Sequence, residues 1–221
     1  MTTSGTYTYT RTAQQISNYA LRKLGVLNPT ETATAVDMSE CIEELNIMLK
    51  GWQSHGPNLW RQMEGVLALT ANTSSFALPD NVFRVLDCRL TIGGRDIPLE
   101  QLSREDYFDL PQKLNTGVPT QFYYDAQIPS GILYIWPVFS SVSTETVSYS
   151  YQRKFQDITA QSQTVDIPSE YIGLVGYSLA ARIAPSYGMD GRNVQAMASD
   201  LMRQADSADR EPFIQFQPSS R

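Results

Sequence analysis

Residues 116–139 read TGVPTQFYYDAQIPSGILYIWPVF. The aromatic side chains Phe122, Tyr123, Tyr124, Tyr134 and Trp136 either line a cradle for a sugar or base, or pack a hairpin onto a core. Gln121–Asp125 reads as one strand, Ile128, Pro129, Ser130 and Gly131 as the turn, and Ile132–Trp136 as its partner. Pro119 and Pro137 bracket the pair. Every residue of Ile132–Trp136 is apolar or aromatic, so this strand is expected to be central and covered on both faces. Stacking on nucleic acid calls for Lys or Arg interleaved with the rings, and none is present here. The stretch reads as architecture.

Outward from the hairpin, alternation continues. In residues 146–155, Val147, Tyr149, Tyr151 and Phe155 fall on one side and Ser148, Ser150, Gln152 and Lys154 on the other. Upstream, Leu86, Cys88, Leu90 and Ile92 alternate with polar residues, and Gly93-Gly94 supplies the positive φ angles of a tight hairpin. Ile97-Pro98-Leu99 returns as an edge-type strand, since proline has no N–H for an inner ladder. Residues 76–78 form a short strand, and Ser103 caps a helical turn over Arg104–Asp109.

Helical periodicity holds at both ends of the chain. Ala13, Ile16, Ala20 and Leu24 share a face over residues 12–24, with Gly25 as the stop. Met38, Cys41, Ile42, Leu45, Met48, Leu49 and Trp52 form an apolar stripe that ends near His55-Gly56-Pro57. After Pro168, Ile172, Val175, Leu179 and Ile183 form a stripe, flanked by the small residues Gly173, Gly176, Ala180 and Ala184. These small residues allow close approach of a second helix, from the same chain or a neighbouring subunit. Residues 190–208 form a last helix with Val194, Met197, Leu201 and Ala205 inward. The terminal EPFIQFQPSSR places Phe213, Ile214 and Phe216 in a segment too polar to fold alone, which suits an arm that docks on a partner.

The expected fold is α+β: a helical bundle built from both ends of the chain, an inserted antiparallel β module, and an extended C-terminal arm. The expected divisions are 1–65 and 161–209 for the halves of the bundle, 66–160 for the β module, and 210–221 for the arm. Hydrophobic residues at 42% and charged residues at 18% suit a globule rather than a disordered chain. No apolar run approaches the roughly 20 residues of a membrane helix. The polar start, MTTSGTYTYTRTAQ, lacks the apolar core of a signal peptide, so synthesis in a cytoplasm is expected, with TTSGTYTYT flexible until assembly. A net charge of −6 without a basic cluster argues against gripping nucleic acid. The two cysteines, Cys41 and Cys88, sit among apolar neighbours and read as buried free thiols.

Catalytic groups are sparse. The single histidine, His55, ends a helix, where it complements the last carbonyls. With two cysteines and one histidine there is no zinc set. Glu43 with Glu44, and Glu105 with Asp106, are the candidate acid pairs for a peptidoglycan hydrolase, but neighbours on a helix diverge by about 100°. The aromatic hairpin, with Trp136 at its end, is the candidate surface for a carbohydrate- or receptor-binding module. No catalytic, cofactor-binding or metal-binding residue is assigned, and no cofactor is expected.

The order of NYALRKLGVL (18–27), ELNIMLKGWQSHGPNLW (44–60), FALPDNVFRVLDCRL (76–90), PLEQLSREDYFDLPQK (98–113), GVPTQFYYD (117–125), ILYIWPV (132–138) and DIPSEYIGLVGYSLAARIAPSYG (166–188) resembles the head-to-tail adaptor family of tailed bacteriophages. In short-tailed phages these are also called tail accessory factors or head completion proteins. The resemblance implies a structural virion protein at the head–tail junction. It implies a ring of about twelve copies below the portal protein, extending the DNA channel and presenting a surface to the tail nozzle or hub. The C-terminal arm would grip the portal, and genomic DNA would pass without specific binding. Some relatives are linked to cell-wall lysis, but no motif here carries that over. Acidic side chains of the second helix or the hairpin tips are expected to face the lumen and keep DNA from adhering.

Overall fold

Thr12 opens the first helix, α1 (Ala13–Leu24), through a capping box with Gln15, and Gly25 closes it at φ 78°. The computed structural model that shows this describes residues 3–55, 59–140 and 145–208. Helix α2 (Ala35–His55) starts on a similar reciprocal pair: the Asp37 amide donates to Thr34 Oγ1, and the Thr34 amide donates to Asp37 Oδ2. Within the described residues the chain divides into two compact units, one of residues 1–60 and 155–221 and one of Arg61–Lys154.

The first unit joins α1 and α2 to two helices more than a hundred residues downstream, α4 (Ile172–Ile183) and α5 (Arg192–Ala208). Pro168 introduces a single 3-10 turn, Ser169–Tyr171, ahead of α4. The expected stripes converge in one cluster: Ile16, Ala20, Leu45, Leu49, Val175, Leu179 and Ile183 are all fully buried, and Leu21 joins them. Residues 155–165 are fastened to both N-terminal helices. Asn46 donates to the Ile158 carbonyl and accepts from its amide, each at 2.9 Å, and Lys50 Nζ reaches the Phe155 carbonyl at 2.7 Å. The Ala13 amide donates to Gln163 and the Val165 amide to Arg11. Phe155, Ile158 and Val165 therefore belong to the helical core, although the sequence periodicity assigned 155 to a strand. In α5 the inward face is Val194, Ala198, Leu201 and Ala205. Met197, expected inward, is 45% exposed, because at 100° per residue it falls to the edge of that face.

The second unit is a seven-stranded sheet in the order β1-β7-β3-β4-β5-β6-β2. Its strands are β1 (Gln62–Ala68), β2 (Ser75–Ala77), β3 (Val82–Ile92), β4 (Arg95–Gln101), β5 (Gln121–Asp125), β6 (Ile132–Trp136) and β7 (Thr146–Arg153), with helix α3 (Arg104–Asp109) between β4 and β5. All pairings are antiparallel except one, which corrects the expected wholly antiparallel module. Glu100 and Gln101 run parallel to Gln121 and Phe122. The connection through α3 is long enough for the crossover that parallel strands need. Because that ladder begins at Glu100, Pro98, opposite Arg89 on β3, has no strand on its other side, and β4 behaves as an edge over that half.

Three other differences have local causes. β1 carries no alternating apolar pattern, since only Gly65 and Leu67 are even half-buried, and it forms by pairing with β7. In β3 the buried positions are Val82, Val85, Cys88 and Leu90, because the register to β7 shifts twice, between Val82 and Arg84 and between Val85 and Asp87. Leu86 is thereby only half-buried. In β7 Gln152 is 4% exposed rather than facing solvent, and it accepts from Arg84 Nε at 2.6 Å. Strand β6 buries Leu133 and Ile135 in the sheet core. Tyr134, on the other face, lies under α3, where Tyr107 packs 5.0 Å from it and 5.1 Å from Tyr123. Both faces are thus covered, one by the core and one by a tyrosine cluster.

Arg61 is fully buried, and its Nε and Nη2 donate to the Arg153 carbonyl at 3.0 and 2.9 Å. Arg61→Met leaves that carbonyl without these donors. It should lower the unfolding free energy by about 1–3 kcal/mol, read as a lower urea midpoint with an unchanged slope. An unchanged midpoint would show that the guanidinium stabilises nothing.

Candidate functional site

The small-residue stripe on α4 is explained mostly within the helical unit. A Cβ on Gly176 would fall 2.4 Å from the Tyr19 ring of α1, so only glycine admits that ring. Tyr19 meets Tyr177 edge-on at 5.9 Å, and Lys23 Nζ stands 5.1 and 5.6 Å from the two ring centres. The Arg11 guanidinium lies 5.4 Å from the Tyr19 ring. Ala180 and Ala184 are buried, and a Cβ on Gly191, in the turn to α5, would stand 2.9 Å from Ala184 Cβ. Gly173 is different: nothing lies within 4 Å of its Cβ position. The arm residues Phe213, Ile214 and Phe216 lie outside the described residues.

The candidate acid groups are occupied in structural contacts or solvated. Glu44 accepts from Arg182 Nε at 2.9 Å, and Asp106 accepts from Ser103 Oγ at 2.6 Å in the cap of α3. Glu43 and Glu105 are exposed. Burial pushes the Cys41 and Cys88 thiols up to about 12, which leaves little thiolate for nucleophilic attack at neutral pH. His55 ends α2, and its side chain lies outside the described residues. Among the described residues no group of three or more His, Cys, Asp and Glu is placed to hold a metal ion.

The aromatic hairpin is spent on packing. Phe122 is in the sheet core, the Tyr124 ring covers Gly131, and Trp136 Nε1 donates to the Gln112 carbonyl at 3.0 Å. Burial raises the Tyr107 and Tyr123 hydroxyls above their ordinary range. A polar recess of about 120 Å³ opens on the other part of the sheet, lined by Glu64, Asp87, Arg89, Asp96, Ser148 and Ser150. Other surface recesses reach about 380–420 Å³, among them one lined by Met48, Trp52, Arg182 and Met202 in the helical unit. Sequence reasoning did not find the polar recess or the Tyr19–Gly176 contact, because each is formed by residues far apart in the chain.

A family model described as SU10 adaptor protein matches residues 8–215, which spans both units. No curated protein matches the chain. Among solved structures, the neck of an empty GTA particle, computed with C6 symmetry, is similar over 79% of this chain and 82% of that chain, at 15% identity and a TM-score of 0.29. That likeness is too slight for any argument to rest on.

Two outcomes test the packing. Gly176→Leu drives a side chain into Tyr19 and should cost about 1–3 kcal/mol, seen as a lower melting temperature; wild-type stability would contradict the contact. The Asp37 carboxyl is held below its ordinary range by hydrogen bonds from Thr34, then from the Tyr187 hydroxyl at 2.8 Å. A depressed carboxyl stabilises the fold above its unfolded pKa, near 3.9, and the contribution is lost as pH falls through the lower folded value. Asp37→Asn should therefore reduce stability at pH 7 and flatten the loss below about pH 4. An acid-melting curve parallel to wild type would contradict this.

Proposed function

The chain belongs to the SU10 adaptor protein family of phage head–tail adaptors, and from that premise we propose that it forms an adaptor ring below the portal. A structural head–tail connector role follows from the family. In the finer reading, about twelve copies encircle the DNA channel, the ring docks the tail nozzle or hub, and the particle ejects its genome through it. The helical unit acts as one bundle built from both ends of the chain, Arg61–Lys154 as the inserted β module, and 210–221 as the portal-docking arm. Phe213, Ile214 and Phe216 are the arm's anchors, and Gly173, the open member of the stripe, is free to meet a neighbouring helix. Synthesis takes place in the host cytoplasm and the final location is the virion.

The match over residues 8–215 carries this reading. The use of the candidate acids, thiols and aromatics in caps, ion pairs and cores is in keeping with it. The net charge of −6, repeated around a ring, gives an acidic tube along which DNA slides without adhering. Ordering the arm only on the portal would keep the ring from assembling prematurely.

Particle mass tests the proposal. The purified chain should be a monomer or weak oligomer alone and convert to a ring of about twelve copies on its portal. A chain ending at residue 209 should fail to convert. An unchanged mass with every portal preparation would contradict the adaptor ring.

A further inference from the structure

The sheet has two edges, β1 and β2, and they are unlike. β2 spans three residues, whereas β1 spans seven in an unbroken register with β7, from Gln62↔Gln152 to Ala68↔Thr146. Exposed edges are ordinarily blunted by lysine, proline or a bulge. Strand β1, QMEGVLA, has none of these; its one charge is Glu64, and it exposes Met63 at 46% and Val66 at 68%. No strand pairs with its outer side among the described residues.

The same chain carries a segment suited to that edge. Residues 6–10 read TYTYT, a strict alternation of strong strand formers. They join no ladder, and the backbone groups of residues 7–10 make no hydrogen bond among the described residues. Tyr7 is 93% exposed. The segment leaves a fixed stem, because the Arg11 carbonyl accepts from Val165 and Thr12 bridges Thr164.

We propose that residues 6–10 of one copy add as an eighth strand to the open edge of β1 in a second copy. Charge favours this occupant. Copies of a chain at −6 repel one another, yet residues 3–11 contain Arg11 and no acid. The recess beside β1 is lined by Glu64, Asp87 and Asp96 together with Arg89, and Arg84 lies further along the same surface, donating to Gln152 opposite Gln62. Residues 6–10 thus bring no acid to an edge that already carries Glu64, while Arg11 stays with its own copy, its Nε donating to the Tyr9 hydroxyl at 2.7 Å and its guanidinium on the Tyr19 ring. Each copy supplies one strand and receives one, so the contact closes as a reciprocal pair or passes head to tail from copy to copy; that it passes around a ring rests on the function proposed above. Main-chain bonds supply affinity, and the Tyr–Thr alternation supplies register.

Disulfide trapping tests this. Thr8→Cys and Val66→Cys are made in separate chains, with buried Cys41 and Cys88 left in place. The two are mixed at high concentration without portal and oxidised, then again on the portal. The expected result is a disulfide between the two variants, lost when Tyr7→Pro is added to the arm chain. Circular dichroism should show the fold unchanged, since residue 7 lies outside every element. No trapped pair in the concentrated free chain would overturn the inference, whatever the portal does. So would an intrachain disulfide in the doubly substituted chain. A ring that assembles without the trapped pair leaves the adaptor reading standing and removes this contact; a trapped pair with no ring on any portal does the reverse.

Discussion

The helical unit depends on α4 being packed by three other helices at once. α1, α2 and α5 all contact it, and Val175, Leu179, Ala180 and Ile183 are shut off from solvent. A helix with so little polar surface is not stable by itself in water, since its stability comes from the apolar area that neighbours remove. Two of these neighbours, α1 and α2, are more than a hundred positions upstream, and α5 follows directly. The first and last parts of the chain therefore cannot fold separately, and residues 155–165 are tied to both N-terminal helices through Asn46, Lys50 and the start of α1. Close approach sets the fine detail. Gly176 has no side chain because Tyr19 occupies the space where one would be.

The second unit solves a different problem. Its sheet core is closed by Leu90, Phe122, Leu133 and Val147, and the tyrosines of α3, β5 and β6 cover part of the opposite face. Glu44 pairs with Arg182, Asp106 caps α3, and the thiols are buried. The connector role itself rests on the family. The exposed β1 edge is the less guarded of the sheet's two edges.

Much of this was legible in the sequence, and for definite reasons. Stripes at helical spacing located α1, α2 and α4. Turn residues and caps located β5, β6 and α3, whose bounds agree with the reading from Ser103 and from the Ile128–Gly131 turn. The parts that were not legible depend on partners distant in the chain. β1 is a strand only because β7 is there. The β3 bulges disrupt a simple alternation at Leu86. The parallel pairing of β4 with β5 leaves no local sign. Gln152 reads as a surface residue until Arg84 is found beside it. Met197 sits at the margin of a stripe, where one residue of drift changes its face. On the functional side, the order of motifs pointed to the adaptor family, and the family match over residues 8–215 agrees. The segment proposed as a docking arm, 210–221, lies outside the described residues.

The most direct measurement is to locate the chain in intact particles by electron cryomicroscopy, with a small tag carried in the Gly93-Gly94 hairpin to mark it. The account predicts tag density in a ring between the portal and the tail, at one site per subunit. Tag density on the capsid or at the distal tip of the tail, or particles of normal composition without the chain, would contradict it.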